Sequence, residues 1–108
     1  LGGRRVFPTY GAMGPTKAAL EATVRCLAAE LAPRGIRVNA VTAGLVETES
    51  IMKFPNAENL ARDAVERTPA GRLGQPDDVA DVVMFLLSPS AQWICGQTIV
   101  ADGGLSLY

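Results

Sequence analysis

The chain has no histidine, and its two cysteines, Cys26 and Cys95, lie far apart in the sequence. Because zinc sites draw on clusters of cysteine and histidine, this composition excludes an ordinary zinc centre, and we expect no metal. Isolated cysteines are typical of proteins kept in a reducing compartment, which favours a cytoplasmic location. We expect both thiols to be buried as small apolar side chains.

Charge and hydropathy exclude two further kinds of partner. The net charge is −1 and no basic run occurs, so nucleic-acid binding has no electrostatic footprint. No apolar run reaches the roughly 18 residues that a membrane span needs, and no segment has the pattern of a signal peptide. Nearly half of the residues (48%) are hydrophobic, which is typical of a well-buried α/β layer.

A long amphipathic helix is predicted over residues 12–32. Its apolar stripe, at spacings that fall on one helix face, consists of Leu20, Val24, Leu27 and Leu31. Pro33 and Gly35 are expected to end it. Pro15 fits only if the regular helix begins near Gly14, because a proline inside a helix removes a hydrogen bond.

Two shorter helices are predicted after the long one. The first begins near Asn56, as its cap, and continues to about residue 68, with Leu60 and Ala64 facing inward. The second covers residues 77–87, with Pro76 near its first position and acidic residues at its positive end. Its expected buried face consists of Val79, Val82, Val83, Leu86 and Leu87.

Two short segments rich in β-branched residues, 36–41 and 98–101, are predicted as strands, and residues 45–55 are predicted as a loop. The segments 42–44 and 102–104 should end the two strands. The order helix, strand, helix, helix, strand favours an α/β fold with a parallel sheet. Two strands are too few for an independently stable sheet, so we expect further strands outside the chain to cover the apolar helix faces.

Tyr10 and Lys17 stand seven residues apart at the start of the long helix. At about 100° per residue, the two side chains differ in direction by only about 20°, so both can face one pocket. A phenol beside an ammonium is a proton donor in a positive field, which favours phenolate character. The spacing alone also fits two ordinary surface residues.

A second candidate element is the turn that follows the first predicted strand. Ligands in open parallel sheets bind beyond the carboxyl ends of strands, which is where Gly44, Leu45, Val46, Glu47 and Thr48 are placed. Exposed backbone groups here can bind an amide-bearing ligand, and the hydroxyl of Thr48 can donate or accept. The alternative is an ordinary connecting loop.

These elements together resemble the C-terminal half of a short-chain dehydrogenase/reductase. The resemblance covers essentially all 108 residues and rests on segments 10–21, 35–48 and 96–104. It implies the C-terminal part of a Rossmann-like, doubly wound parallel sheet. Residues 1–108 would then be half of one domain, with the N-terminal cofactor-binding half outside the chain.

The tyrosine–lysine spacing indicates a branch of that family. Most members have the two residues four apart, but the residue four before Lys17 is Met13. The spacing here, with six residues between Tyr10 and Lys17, resembles that of the enoyl-acyl-carrier-protein reductases of fatty acid biosynthesis. Segments 53–56, 68–72 and 103–108 are similar to the NADPH-dependent, Bacillus-type form of that enzyme.

The resemblance implies reduction of a 2-enoyl thioester, carried on acyl carrier protein, by NADPH or NADH. Tyr10 would hydrogen-bond or protonate the thioester oxygen, and Lys17 would hold the nicotinamide ribose. The backbone of Val46 and the side chain of Thr48 would hold the carboxamide, and Gly44 of the same turn would also contact the cofactor. An apolar wall for the acyl chain would consist of Met13, Leu45, Ile51, Met52 and Phe54.

Several alternatives stay open. Ile51 and Met52 could equally serve core packing. The substrate could be the carbonyl of a 3-oxoacyl thioester or another ketone, and the chain by itself could be an inactive fragment. The resemblance also implies a homotetramer in the full-length protein, and charge and hydropathy predict neither a nucleic acid nor a membrane as partner.

Overall fold

The computed structural model describes residues 3, 11–53 and 55–107. Four α-helices and two strands occur there, joined by turns and by the 3₁₀ segments Ala32–Arg34 and Pro89–Ala91. In chain order the elements are α1 (Met13–Leu31), β1 (Ala40–Ala43), α2 (Glu49–Met52), α3 (Ala57–Arg67), α4 (Pro76–Leu87) and β2 (Thr98–Ala101). The chain divides into two compact units, residues 1–40 with 85–99 and residues 41–84 with 100–108.

Helix α1 begins close to the predicted residue. Pro15 is its third residue, where the missing N–H costs nothing because the first turn has no partner for it. Gly35 has a left-handed φ of 77° and ends the following 3₁₀ turn. The N–H of Ile36 then donates to the carbonyl of Leu31 at 3.2 Å, which satisfies a carbonyl at the helix end.

The predicted apolar stripe of α1 is only partly buried. Val24 and Ala28 are buried, whereas Leu20 and Leu27 are 54% and 40% exposed. Cys26 is also exposed, so the prediction of a buried thiol was wrong for this residue. Cys26 lies two residues after the buried Val24, a rotation of about 200° around the helix, so its side chain points away from the buried face. Cys95 is half-buried, and both cysteines are free thiols.

The strands β1 and β2 pair in parallel, as the element order predicted. In the first unit the N–H of Ala40 donates to the carbonyl of Gln97 at 2.8 Å. In the second unit the N–H of Gly44 donates to the carbonyl of Ala101 at 3.3 Å. The partner number rises by four as the donor number rises by four, which is the parallel register.

Strand β1 begins four residues later than predicted and includes Thr42 and Ala43, so the predicted bounds were wrong. The side chain of Asn39 explains the late start. Its amide nitrogen donates to the carbonyl of Ile94 at 2.9 Å, and its amide oxygen accepts from the N–H of Gln97 at 3.0 Å. Because a side chain bonds these two backbone groups, the regular ladder begins only at Ala40.

The predictions for the other helices met mixed outcomes. Helix α4 begins at Pro76 and buries Leu86, but Val83 and Leu87 of its expected inner face are exposed. Helix α3 forms as predicted, yet Leu60 is 45% exposed rather than inward. Asn56 precedes α3 with a left-handed φ of 62° and no side-chain capping bond, so its predicted capping role was wrong.

Helix α2 was not predicted, because the sequence there has too few residues for helical periodicity. No helix in the described ranges is long and apolar enough to cross a bilayer.

Candidate functional site

The turn after β1 is fastened to the segment that leads into α4. Val46 and Gly74 form an isolated parallel bridge. The N–H of Gly74 donates to the carbonyl of Leu45 at 2.9 Å, and the N–H of Glu47 donates to the carbonyl of Gly74 at 2.8 Å. The turn is therefore a short extended segment with one edge paired.

The backbone of Val46 faces the other edge of that segment. In a parallel bridge the flanking residues make both bonds, and the central residue directs its N–H and C=O to the opposite side. Neither group of Val46 has a hydrogen-bond partner among the described residues. Val46 is half-buried, and its backbone donor and acceptor are both left open, which is the pattern that a carboxamide can complete.

Thr48 stands at the position that precedes α2. Its backbone is extended, with φ −137° and ψ 157°, and its side chain makes no capping hydrogen bond. The side chain is exposed, so its hydroxyl is accessible to a ligand. A threonine here usually caps the helix, and the absence of that bond leaves the hydroxyl for another use.

Gly44 packs closely against Asp102, which leaves little room for a side chain at this position. A Cβ at this position would lie 3.2 Å from the Cα, Cβ and carbonyl oxygen of Asp102. The close approach thus joins the end of β1 to the turn after β2. The Asp102 carboxylate in turn accepts from the N–H groups of Gly104 and Ser106, each at 2.9 Å.

An ion pair lies beside the fastened turn. Two nitrogens of the Arg72 guanidinium donate to the two carboxylate oxygens of Asp78, at 2.6 and 2.8 Å. The N–H of Gln75 donates to the same carboxylate at 2.7 Å. Hydrogen bonding from Arg72, and then from Gln75, holds the pKa of Asp78 well below its usual range, and the pKa of Arg72 is raised in return.

Gln75 also reaches the turn with its side chain. Its Nε2 donates to Oε2 of Glu47 at 2.7 Å, joining residues 28 positions apart in the sequence. Glu47 lies between Val46 and Thr48. The bond from Gln75 therefore holds the residue between the two that are candidates for binding a ligand. The sequence predicted no role for Arg72 or Gln75, named Glu47 only as a member of the candidate turn, and assigned Asp78 only to the positive end of α4.

A cavity of about 330 Å³ opens beyond the ends of the two strands, within the second unit. Its walls include Gly44, Leu45, Asp102 and Gly103, as expected for ligand space at the carboxyl ends of parallel strands. Val46 and Thr48 do not line it. Gly44 and Leu45 thus belong both to the candidate turn and to the cavity wall, whereas the two residues with open polar groups lie outside that wall.

The other predicted site residues are distributed as follows. Lys17 and Met13 lie in the first two turns of α1 with exposed side chains. Leu45 and Ile51 are half-buried in the second unit. Tyr10, Phe54 and the side chain of Met52 lie outside the described residues. In the described part of the chain, no group of three or more histidine, cysteine or acidic side chains could hold a metal ion.

Comparison with known proteins agrees with the family resemblance seen in the sequence. The family model described as "Enoyl-(Acyl carrier protein) reductase" matches residues 1–106. The chain is 45% identical over 108 residues to 1-cyclohexenylcarbonyl-CoA reductase of Streptomyces collinus, covering 98% of this chain and 39% of that protein. It is 37% identical to the enoyl-[acyl-carrier-protein] reductase [NADH] FabI of Bacillus subtilis, covering 99% and 42%.

Other similar proteins carry different descriptions. Tropinone reductase homolog At2g29300 of Arabidopsis thaliana is 45% identical, covering 88% of this chain and 36% of that protein. A solved small-chain dehydrogenase in complex with NADPH superimposes with a TM-score of 0.88 at 31% identity, covering 99% of this chain and 48% of its own. The chain thus spans about two fifths of the length of the curated relatives it matches.

Proposed function

Because this chain belongs to the short-chain dehydrogenase/reductase family, we propose that it is the C-terminal half of an NAD(P)H-dependent reductase of 2-enoyl thioesters. The cofactor-binding half would precede Leu1 in the full-length protein. The name of the Streptomyces relative describes reduction of an unsaturated acyl thioester, and that of the Bacillus relative an enoyl thioester on acyl carrier protein. Both therefore support this substrate class over a simple alcohol.

The observation that carries the proposal is the open backbone of Val46 beside the uncapped hydroxyl of Thr48. The nicotinamide carboxamide offers one acceptor and two donor hydrogens. The N–H of Val46 would donate to the carboxamide oxygen, and the Val46 carbonyl and the Thr48 hydroxyl would accept from its NH₂ group. The described residues thus fit the cofactor, whose chemical contribution when bound is a hydride for the β-carbon of the substrate.

Tyr10 and Lys17 would act on the oxygen of the thioester. Reduction at the β-carbon places negative charge on that oxygen, and the Tyr10 hydroxyl would donate a hydrogen bond or a proton to it. Stabilising charge that develops in the transition state is the largest contribution that a side chain can make here. The Lys17 ammonium would hold the nicotinamide ribose and keep a positive field beside the phenol.

The remaining assignments follow from the same proposal. Leu45 and Ile51, which are half-buried, and Met13, which is exposed, would contact the acyl chain together with Met52 and Phe54. The two free cysteines support a reducing, cytoplasmic location. The full-length protein would be a homotetramer that takes its substrate from acyl carrier protein.

A second candidate is a carbonyl reductase, which the similarity to a tropinone reductase homolog favours. Both candidates use the same cofactor and the same tyrosine, and they differ in the bond that is reduced. The names of the relatives also leave the cofactor open, since one specifies NADH and one solved structure holds NADPH.

The test is turnover by the full-length protein. Crotonyl-CoA and acetoacetyl-CoA are offered separately with NADPH and with NADH, and oxidation of the cofactor is followed at 340 nm. We expect crotonyl-CoA to be reduced faster, whereas faster reduction of acetoacetyl-CoA would establish the carbonyl reductase instead.

Substitutions then test the assigned roles. Tyr10→Phe should lower kcat for crotonyl-CoA by about 10²- to 10⁴-fold, the usual contribution of a positioned acid. Lys17→Ala should weaken cofactor binding as well as turnover. Tyr108→Phe removes the second tyrosine hydroxyl of residues 1–108 and should leave the rate unchanged. An undiminished rate in Tyr10→Phe would contradict the mechanism.

A further inference from the structure

We propose that Gln75 is a positioning residue for the nicotinamide-binding turn, acting through Glu47. This inference rests on the function proposed above, because it assigns to Gln75 the task of holding Val46 and Thr48 in place. Gln75 itself would contact neither cofactor nor substrate.

The first step is the fastening of the turn by backbone bonds. Gly74 exchanges two hydrogen bonds with the residues on either side of Val46, at 2.9 and 2.8 Å. A Cβ on Gly74 would lie 3.3 Å from Cγ2 of Val46, so the two segments approach more closely than most side chains allow. The position of Val46 is therefore set by the segment that precedes α4.

The second step is the anchoring of that segment. The N–H of Gln75 donates to Oδ2 of Asp78 at 2.7 Å, and the same carboxylate is paired with Arg72. Asp78 is the third residue of α4, so Gln75 is bound to the first turn of a twelve-residue helix. The helix gives the backbone of Gln75 a fixed position.

The third step joins this anchor to the turn. Nε2 of Gln75 donates to Oε2 of Glu47 at 2.7 Å. Gln75 thus bonds the helix through its backbone and the turn through its side chain. The carbonyl of Gly74 holds the N–H of Glu47, and Gln75 holds the Glu47 side chain, so that residue is bonded through both its backbone and its side chain.

Both side chains are exposed, so their hydrogen bond competes with water and contributes little to global stability. Its effect should be local, on the conformation that the open groups of Val46 and Thr48 adopt before a ligand binds. A turn that is already in the binding conformation spares the ligand the cost of ordering it.

The experiment uses the full-length protein and four variants: Gln75→Ala, Gln75→Glu, the exchange Glu47→Gln with Gln75→Glu, and the control Gln92→Ala. Gln75→Glu places two carboxylates together, whereas the exchange restores an amide donor opposite a carboxylate. The dissociation constant for NADPH is measured by fluorescence titration, the KM for cofactor and for crotonyl-CoA by steady-state kinetics, and the melting temperature by circular dichroism.

We expect Gln75→Ala and Gln75→Glu to weaken NADPH binding by about two- to threefold, the low end of what one hydrogen bond contributes, because this bond is exposed to water. The KM for crotonyl-CoA should stay the same, the exchange should recover most of the affinity, and Gln92→Ala should change nothing. A lowered melting temperature with unchanged NADPH affinity would overturn the inference, as would an exchange variant that binds no better than Gln75→Glu.

The two proposals fail in different ways. If the unaltered full-length protein neither binds a nicotinamide cofactor nor reduces crotonyl-CoA, the proposed function fails and the role of Gln75 fails with it. If the unaltered protein does both and Gln75→Ala matches it in cofactor affinity, only the role of Gln75 fails.

Discussion

The carboxylate of Asp78 accepts from two nitrogens of Arg72, at 2.6 and 2.8 Å. A paired guanidinium and carboxylate constrain direction as well as distance, because both groups are planar. The pair ties the first turn of α4 to the segment before it, and the N–H of Gln75 completes the arrangement. A single carboxylate therefore sets the geometry of the segment that meets the candidate nicotinamide-binding turn.

This pair predicts a pH dependence of stability. The hydrogen bonds from Arg72 and Gln75 lower the pKa of Asp78 in the folded state, so the unfolded state binds its proton more tightly. The pair therefore stabilises the fold above the ordinary carboxyl pKa of about 4, and the stabilisation is lost as the pH falls below that value.

In the full-length protein, Asp78→Asn should lower the melting temperature by about 1–3 °C at pH 7, a small effect because the pair is exposed. The difference from the unaltered protein should shrink between pH 4 and pH 2. Thermal melts across that range measure it, with Asp77→Asn as the control that removes the same charge one residue away. An equal difference at pH 7 and pH 2 would contradict the assignment.

Two glycines have left-handed backbone conformations but differ in how much space surrounds them. Substituting each one therefore distinguishes the cost of backbone strain from the cost of overpacking. Gly71 and Gly103 have φ values of 70° and 62°. A Cβ on Gly71 would meet nothing within 4 Å, whereas one on Gly103 would lie 2.9 Å from Cγ2 of Thr68 and 3.0 Å from Cβ of Ala70. Thr68 is only 8% exposed and has little room to move aside.

We therefore expect Gly71→Ala to cost about 1–2 kcal/mol of unfolding free energy from backbone strain alone. Gly103→Ala should cost this amount and about 1–3 kcal/mol more for the overpacking. Urea denaturation of the two full-length variants measures both values. Equal losses would mean that the turn after β2 can shift away from Thr68 without cost.

The 108 residues expressed alone should be neither cooperatively folded nor active. Among the described residues only five apolar side chains are buried, and none of the large ones is fully so. Trp93 is 96% exposed, and Leu20, Met84 and Leu87 are also exposed. Apolar surface of this extent is typical of a domain that lacks its covering elements.

Circular dichroism melts and an NADPH titration of the isolated chain test this expectation. A broad melt without a sharp transition and no saturable cofactor binding are the expected results. A sharp cooperative transition together with micromolar binding would instead make the chain a complete functional unit.

Some features were predictable because they depend on residues close together in the sequence. Pro76 lies where a proline favours the first turn of a helix, and α4 begins there. The β-branched run 98–101 forms β2 with the predicted bounds, and two glycines with positive φ follow it. The parallel pairing of the strands followed from their alternation with helices.

Other features were not predictable because they depend on distant segments. The late start of β1 depends on the amide of Asn39 meeting residues 94 and 97. The exposure of Leu60 and Cys26 depends on which helix faces have a neighbour, which periodicity cannot tell. Tyr10 and Phe54, two of the predicted site residues, lie outside the described residues, so their roles stay predictions.

By itself, the sequence determined the type of every helix and strand except α2, the family resemblance and the placement of a candidate binding turn after the first strand. Only the tertiary structure decided that Gly44 packs against Asp102, that Val46 keeps an open backbone edge, and that Gln75 holds Glu47. The physical reason is range. Backbone sterics act over a few neighbouring residues, whereas a hydrogen bond across 28 positions exists only after the chain has brought its two partners together.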